Sequence, residues 1–172
     1  MTEWAYLALA FALGTGTAVQ LQMIAAMGQA LNPQSAAWIS ANGSYAGVAV
    51  ALGFALIVGE VSRLPTPLDE TAVMAVAAIL GIVLLFRLAR SVPLYFAGTG
   101  MFATAGLIGS AFLVPRIGVA VVFAAFTLGT LSATLIVDHI GAFDSERRRV
   151  TTERVVGVGF VAAGTILMRT AG

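Results

Sequence analysis

The sequence predicts an all-α polytopic membrane protein, a helical bundle of six transmembrane helices with five as the alternative. Two observations predict it. Of the 172 residues, 59% are hydrophobic and only 10% charged, with a mean hydropathy of +0.97. A soluble domain carries roughly a quarter charged residues, so this chain cannot cover itself with polar surface. The second observation is the stretch Pro93–Gly141, which holds two uncharged apolar runs, Pro93–Val114 (22 residues) and Val119–Val137 (19 residues). An uncharged run of about 18 residues or more crosses ~30 Å of hydrocarbon as a helix. Joined at Pro115-Arg116-Ile117-Gly118, the two runs form a helical hairpin inside a bilayer. Residues 1–172 are therefore read as one integral membrane domain.

The remaining spans follow from the same criterion. Span one is Trp4–Met27, with Trp4 and Tyr6 where an interfacial aromatic belt sits. No basic segment precedes it, and its apolar run exceeds that of a signal peptide, so it is expected to be retained. Asn32-Pro33 supplies an N-cap and a first-turn proline for span two, Ser35–Val58. A polar link, Gly59–Glu70, leads to Thr71–Ala89. That stretch is apolar to Phe86 and long enough to cross if Arg87 reaches the headgroups. A surface-lying helix is the alternative, although such helices need a charged face and this one has none. Spans four and five are the hairpin, 93–114 and 119–137. After the charged loop Gly141–Val150, span six runs from about Thr151 to Met168, with Thr151 as N-cap and Glu153 in its first turn.

Composition also excludes several function classes. All nine basic residues are Arg and the net charge is +1, which gives no clustered basic face for nucleic acid. The absence of Cys removes disulfides, thiolate catalysis and cysteine metal sites, and the single His139 argues against a histidine metal cluster. No cofactor and no metal are expected. No serine–histidine pair, HExxH or phosphate loop is present, so the chain does not read as an enzyme.

Arg accumulates on the cytoplasmic side of membrane proteins. With six spans, Arg87, Arg90, Arg147, Arg148, Arg149 and Arg154 share one face, and Arg63, Arg116 and Arg169 the other. The heavier face is then cytoplasmic and both termini lie outside. If Thr71–Ala89 does not cross, Arg63 joins the heavier face and the N-terminus lies inside.

Polar side chains within a membrane are costly, which makes each a candidate functional residue. Thr127, Thr130, Thr134 and Asp138 fall on one face of span five, and Phe123 extends that face. They form either a wall of a substrate cavity or a set of threonines bonded back to their own helix. Gln20 in span one is either a ligand contact or an interhelical hydrogen bond. In span two, Ser35, Trp38, Asn42 and Tyr45 share a face suited to an organic solute or to helix–helix contact. Asp138-His139 at the end of span five is either a titrating coupling site or a solvated helix end paired to an Arg. No acidic or basic residue lies deep in any span. Gly43 and Gly47 have the small-xxx-small spacing that lets helices approach closely. Gly98, Gly100, Gly106 and Gly109 serve span four in the same way, and Gly157 and Gly164 the last span.

These residues resemble a known family. A Gly-rich span carries Gly98 and Gly100, begins at Pro93 followed by aromatics, and ends Val114-Pro115-Arg116-Ile117-Gly118. A span ending Val137-Asp138-His139-Ile140-Gly141 follows, and the last helix opens Arg154-Val155-Val156-Gly157 and carries Gly164. Together with Gln20 and Ser35–Gly47, this order is similar to the YdcZ-like branch of the drug/metabolite transporter superfamily, over roughly three quarters of the chain. The resemblance implies a half-size transporter of the bacterial inner membrane. It also implies pairing into a homodimer, often antiparallel, or with another membrane subunit, to rebuild an inverted-repeat transporter. The superfamily's small multidrug exporters carry a membrane-embedded Glu in the first span. This chain has Gln20 in that helix, so proton antiport by that route is not implied.

The expected activity is export of a small organic solute by alternating access in a dimer. Gln20, Trp38, Asn42, Tyr45, Phe123, Thr127 and Thr130 would line the path, with Asp138 and His139 as coupling candidates. A non-transporting accessory subunit of a larger membrane complex is the alternative. In that case the same polar residues join helices, and the small-residue faces bind other chains.

Overall fold

The computed structural model describes residues 3–58, 65–144 and 147–170. Among these residues there are six α-helices and no strand: α1 Glu3–Ala30, α2 Pro33–Val58, α3 Thr71–Leu88, α4 Thr99–Ile117, α5 Val119–Ile140 and α6 Thr152–Thr170. Short 3-10 turns occupy Ala89–Ser91, Leu94–Gly98 and Ala142–Asp144. Arg63, counted above for orientation, and Glu146 of the charged loop lie outside the described residues.

Local chemistry sets the helix ends. The Ser35 backbone N–H donates to Asn32 Oδ1 at 2.8 Å, so Asn32 caps α2 and Pro33 opens it. The hairpin turn is tighter than the four residues expected from sequence. Helix α4 continues through Pro115 to Ile117, and Gly118 alone makes the turn with φ 80°. A proline costs a helix one hydrogen bond while its fixed φ remains helical. The Gly118 N–H still closes onto the Val114 carbonyl at 3.0 Å. Gly141 ends α5 in the left-handed conformation, φ 65°, which a glycine adopts without a Cβ penalty.

Among the described residues, five helices are long and apolar enough to cross a membrane: α1, α2, α3, the segment Leu94–Ile117, and α5. Thr71–Ala89, in question from sequence because of Arg87, is the most apolar of the five. Arg87 falls in its last turn, at the membrane edge. The helix left out is α6. Its apolar core between Arg154 and Arg169 has 14 residues, which as a helix measures about 21 Å.

The residues cluster into two compact units, whose boundaries fall within α1 and α4. Unit 1 comprises residues 1–26 and 105–172. In it, Glu3 of α1, Arg116 and Ile117 of α4, Val121 of α5, and Met168 and Arg169 of α6 surround one cavity. Helices α1 and α5 therefore start at the same end and run parallel, with α4 and α6 antiparallel to them. Ala10, Leu113, Val122 and Ala125 form the apolar core of this unit. Both ends of α6 are ion-paired. Arg154 meets Asp138 of α5 at 3.2 Å, and Arg169 meets Glu3 of α1. Helix α6 thus reaches from one end of α5 to the other despite its short apolar core.

A crossing α6 has a direct test in this Cys-free chain. Thr152→Cys and Thr170→Cys are expected to react with a membrane-impermeant maleimide from opposite sides. A folded reporter fused to the C-terminus would fix one orientation during the labelling. Labelling of both sites from the same side would mean that α6 lies on the membrane surface.

Unit 2 comprises residues 27–104. Ala36, Ile39, Ser40, Gly43, Ala46 and Ala49 make the buried face of α2, at the three- and four-residue spacing of a helix. Helix α3 and the start of α4 pack against α2.

Candidate functional site

Close crossings are built on glycine, most with a threonine beside it. In unit 1, α1 carries Ala10-Phe11-Ala12-Leu13-Gly14-Thr15 and α5 carries Ala125-Phe126-Thr127-Leu128-Gly129-Thr130. Four residues further on, Ala18 and Ala133 extend both stripes, giving small residues at every fourth position on each helix. The contact is reciprocal. A Cβ on Gly14 would run into the Phe126 carbonyl, and a Cβ on Gly129 into the Phe11 carbonyl. The hydroxyls follow the same symmetry. Thr130 Oγ1 donates to Phe126 O at 3.0 Å and lies 3.1 Å from Gly14 O across the crossing. Thr15 Oγ1 donates to Phe11 O at 3.1 Å and lies 3.5 Å from Gly129 O. One hydroxyl thus serves its own helix and its neighbour.

The same chemistry recurs in unit 2. Gly43 and Gly100 face one another so closely that a Cβ on Gly100 would meet the Gly43–Ser44 backbone. Thr104 Oγ1 is shared between Gly100 O at 3.1 Å and Ser44 O at 3.2 Å, and Gly47 lies against the Thr104 side chain. Asn42 Nδ2 donates to Gly81 O at 2.9 Å, and Gly81 sits against Tyr45 and Ala46.

The residues expected to line a path divide accordingly. Thr130 and Asn42 are engaged in helix–helix hydrogen bonds, and Tyr45 packs beside Gly81 while half of it stays exposed. Ser35 and Trp38 line a cavity of about 350 Å³ with Leu31, Asn32 and Leu88, and Trp38 is 69% exposed. Phe123 is 70% exposed on the outer face of α5. Gln20 and Thr127 are half-buried, and neither makes a side-chain hydrogen bond to another described residue. Thr134 bonds back to Thr130 O at 2.7 Å.

Asp138 is ion-paired to Arg154, while His139 is exposed. The Asp138 carbonyl also accepts the Arg148 N–H at 2.9 Å, which ties the charged loop to the end of α5. At the opposite end of the unit, the Arg116 guanidinium stacks 3.6 Å above the Phe112 ring and donates to the Phe112 carbonyl. Gly109 lies against Leu13, whereas Gly98, Gly106, Gly157 and Gly164 have open space where a Cβ would go. Gly14, Gly81, Gly129, Thr15 and Thr104 escaped the sequence analysis. The signal for Gly81 and Thr104 was weak, but Gly14, Thr15 and Gly129 belong to a readable Phe-x-Leu-Gly-Thr repeat.

The model of the family described as "Putative inner membrane exporter, YdcZ" matches residues 5–167. The chain belongs to the YdcZ family. It is a multi-pass inner-membrane protein of a transporter family, in contact with lipid. The match takes in all six helices of this YdcZ-family chain, including the α6 core up to Leu167. No curated protein and no solved structure matches the chain.

Proposed function

We propose that the chain exports a small organic solute by alternating access, as one integral membrane domain working in a dimer. The observation that carries the reading, within a family of exporters, is the uncommitted pair of polar groups in unit 1. The Gln20 amide and the Thr127 hydroxyl have no hydrogen-bond partner among the described residues, whereas most neighbouring threonines bond to a carbonyl. A polar group left unpaired inside a membrane costs free energy unless something binds it. Gln20 and Thr127 are therefore the solute contacts of unit 1, with Phe123 as an aromatic surface; in unit 2, Trp38 is the aromatic surface of its own cavity beside Ser35. Asn42, Tyr45 and Thr130 shape the path by fixing helix positions. Asp138, ion-paired to Arg154, and its neighbour His139 are the coupling candidates.

Open space at Gly106 and Gly164 supports a second chain against these faces, in either a parallel or an antiparallel homodimer.

Proteoliposomes screened against a panel of small metabolites test the reading. Gln20→Leu is expected to lower transport of the responding solute at least about tenfold, the loss of roughly one hydrogen bond to a polar ligand, with an unchanged melting temperature. Thr127→Val should act in the same direction. A transporting protein indifferent to both substitutions would remove the assignment. A strictly monomeric, active protein by native mass spectrometry would remove the dimer.

A further inference from the structure

Between the end of α5 and the start of α6 lies a groove of about 380 Å³, lined by Leu131, Thr134, Leu135, Asp138, Arg154, Gly157 and Val158. Its charged groups are at one end. Asp138 and Arg154 stand there 3.2 Å apart, half-exposed, while Leu131, Leu135 and Val158 wall the part that runs away from them. Along α5 the distance from Asp138 to Leu131 is seven residues, about 10 Å of helix. Gly157 keeps the floor open, because nothing lies within 4 Å of where its Cβ would be. We propose that this groove is a binding site for a membrane phospholipid whose headgroup carries both a phosphate and a primary ammonium.

The shape and placement are those of an amphiphile. A charged end sits at the helix termini, and an apolar channel enters the span. Charge selects the headgroup. Arg154 takes the phosphate, and Asp138 takes the ammonium, so the internal pair is exchanged for two pairs with the ligand. The surrounding segment favours a zwitterion over an anion. From Asp138 to Arg154 the chain carries four carboxylates (Asp138, Asp144, Glu146, Glu153) and four Arg (Arg147, Arg148, Arg149, Arg154). With these charges balanced, no net positive field draws an anionic lipid.

Native mass spectrometry of the delipidated protein, titrated with lipids of matched acyl chains, tests the site. Phosphatidylethanolamine is expected to be retained about fivefold better than phosphatidylglycerol, which lacks the ammonium, or phosphatidylcholine, whose ammonium cannot donate. Asp138→Asn and Arg154→Gln should each erase that preference. Gly157→Leu should remove the bound lipid by filling the groove, and Gly159→Leu, also open but outside the groove, should leave it. Equal retention of the three lipids by the unaltered protein would overturn the proposal. So would a preference surviving in Gly157→Leu, or displacement of the lipid by free leucine, which would mark a solute pocket. Loss of dimer in Gly157→Leu with lipid retention unchanged would assign the groove to a second copy and overturn it too.

Discussion

Gly129→Leu is expected to abolish accumulation of folded protein. A Cβ at this position would overlap the Phe11 carbonyl, which is backbone and cannot swing aside. Helices α1 and α5 would have to separate, and the stripes Ala10-Gly14-Ala18 and Ala125-Gly129-Ala133 would lose contact along their length. The shared hydroxyls of Thr15 and Thr130 would lose their partners across the crossing. Overpacking alone costs typically 1–3 kcal/mol where side chains can adjust, and a backbone collision adds to that. Interhelical hydrogen bonds in membranes contribute roughly 0.6 kcal/mol each. A sum beyond about 3 kcal/mol is a large part of the 5–15 kcal/mol that holds a typical domain folded. Gly14→Leu should behave alike because its own Cβ meets the Phe126 carbonyl. Gly159→Leu, with open space around it, is the control. Size-exclusion profiles and melting curves in detergent check the comparison, and a Gly129→Leu protein that melts with the control would refute the crossing.

The second large effect separates two amides that look alike in sequence. Asn42→Leu is expected to lower the melting temperature, whereas Gln20→Leu should not. Asn42 adds a second hydrogen bond to the Gly81 carbonyl, beyond the one α3 itself supplies, and leucine would remove it while pressing a branched side chain on the α2–α3 contact. The loss of such a hydrogen bond costs about 0.5–1.5 kcal/mol, and the misfit of the leucine adds to it. Gln20 has no such bond, so leucine there removes only the need to solvate an amide. Any transport defect in Asn42→Leu should then scale with lost stability, while that of Gln20→Leu should appear at full stability. Equal melting temperatures for the two variants would mean that the Asn42 bond contributes nothing.

Much of the fold was legible in the sequence because hydropathy needs no knowledge of neighbours. The helix positions, the Asn32-Pro33 start of α2 and the membrane class all came from local pattern. The weighting of the spans did not. Arg87 cast doubt on α3, yet a charge in a last turn leaves the apolar length intact. Helix α6 looked sound, yet three charges shorten its core, and its ends are compensated by Asp138 across the charged loop and by Glu3 far away in sequence. Pro115 suggested a break that the helix absorbs.

At the candidate site the local signal failed for a related reason. Thr127, Thr130 and Thr134 read as one polar stripe, but whether a hydroxyl is committed depends on which carbonyl faces it. The Gly14 carbonyl that faces Thr130 is 116 residues away in the chain. Nothing in the spacing of α5 alone distinguishes Thr130 from Thr127.

The paired Phe-x-Leu-Gly-Thr stretches have a consequence for how this chain can change over time. Each stretch is both the mould and the casting of the other, so neither helix can drift by itself. A bulkier residue accepted on one side must be met by a retreat on the other, and the two nine-residue windows are bound to vary as a couple. The outward positions of α1 and α5, such as Leu21 and Ile136, are free of that bond and open to exchange of one apolar residue for another.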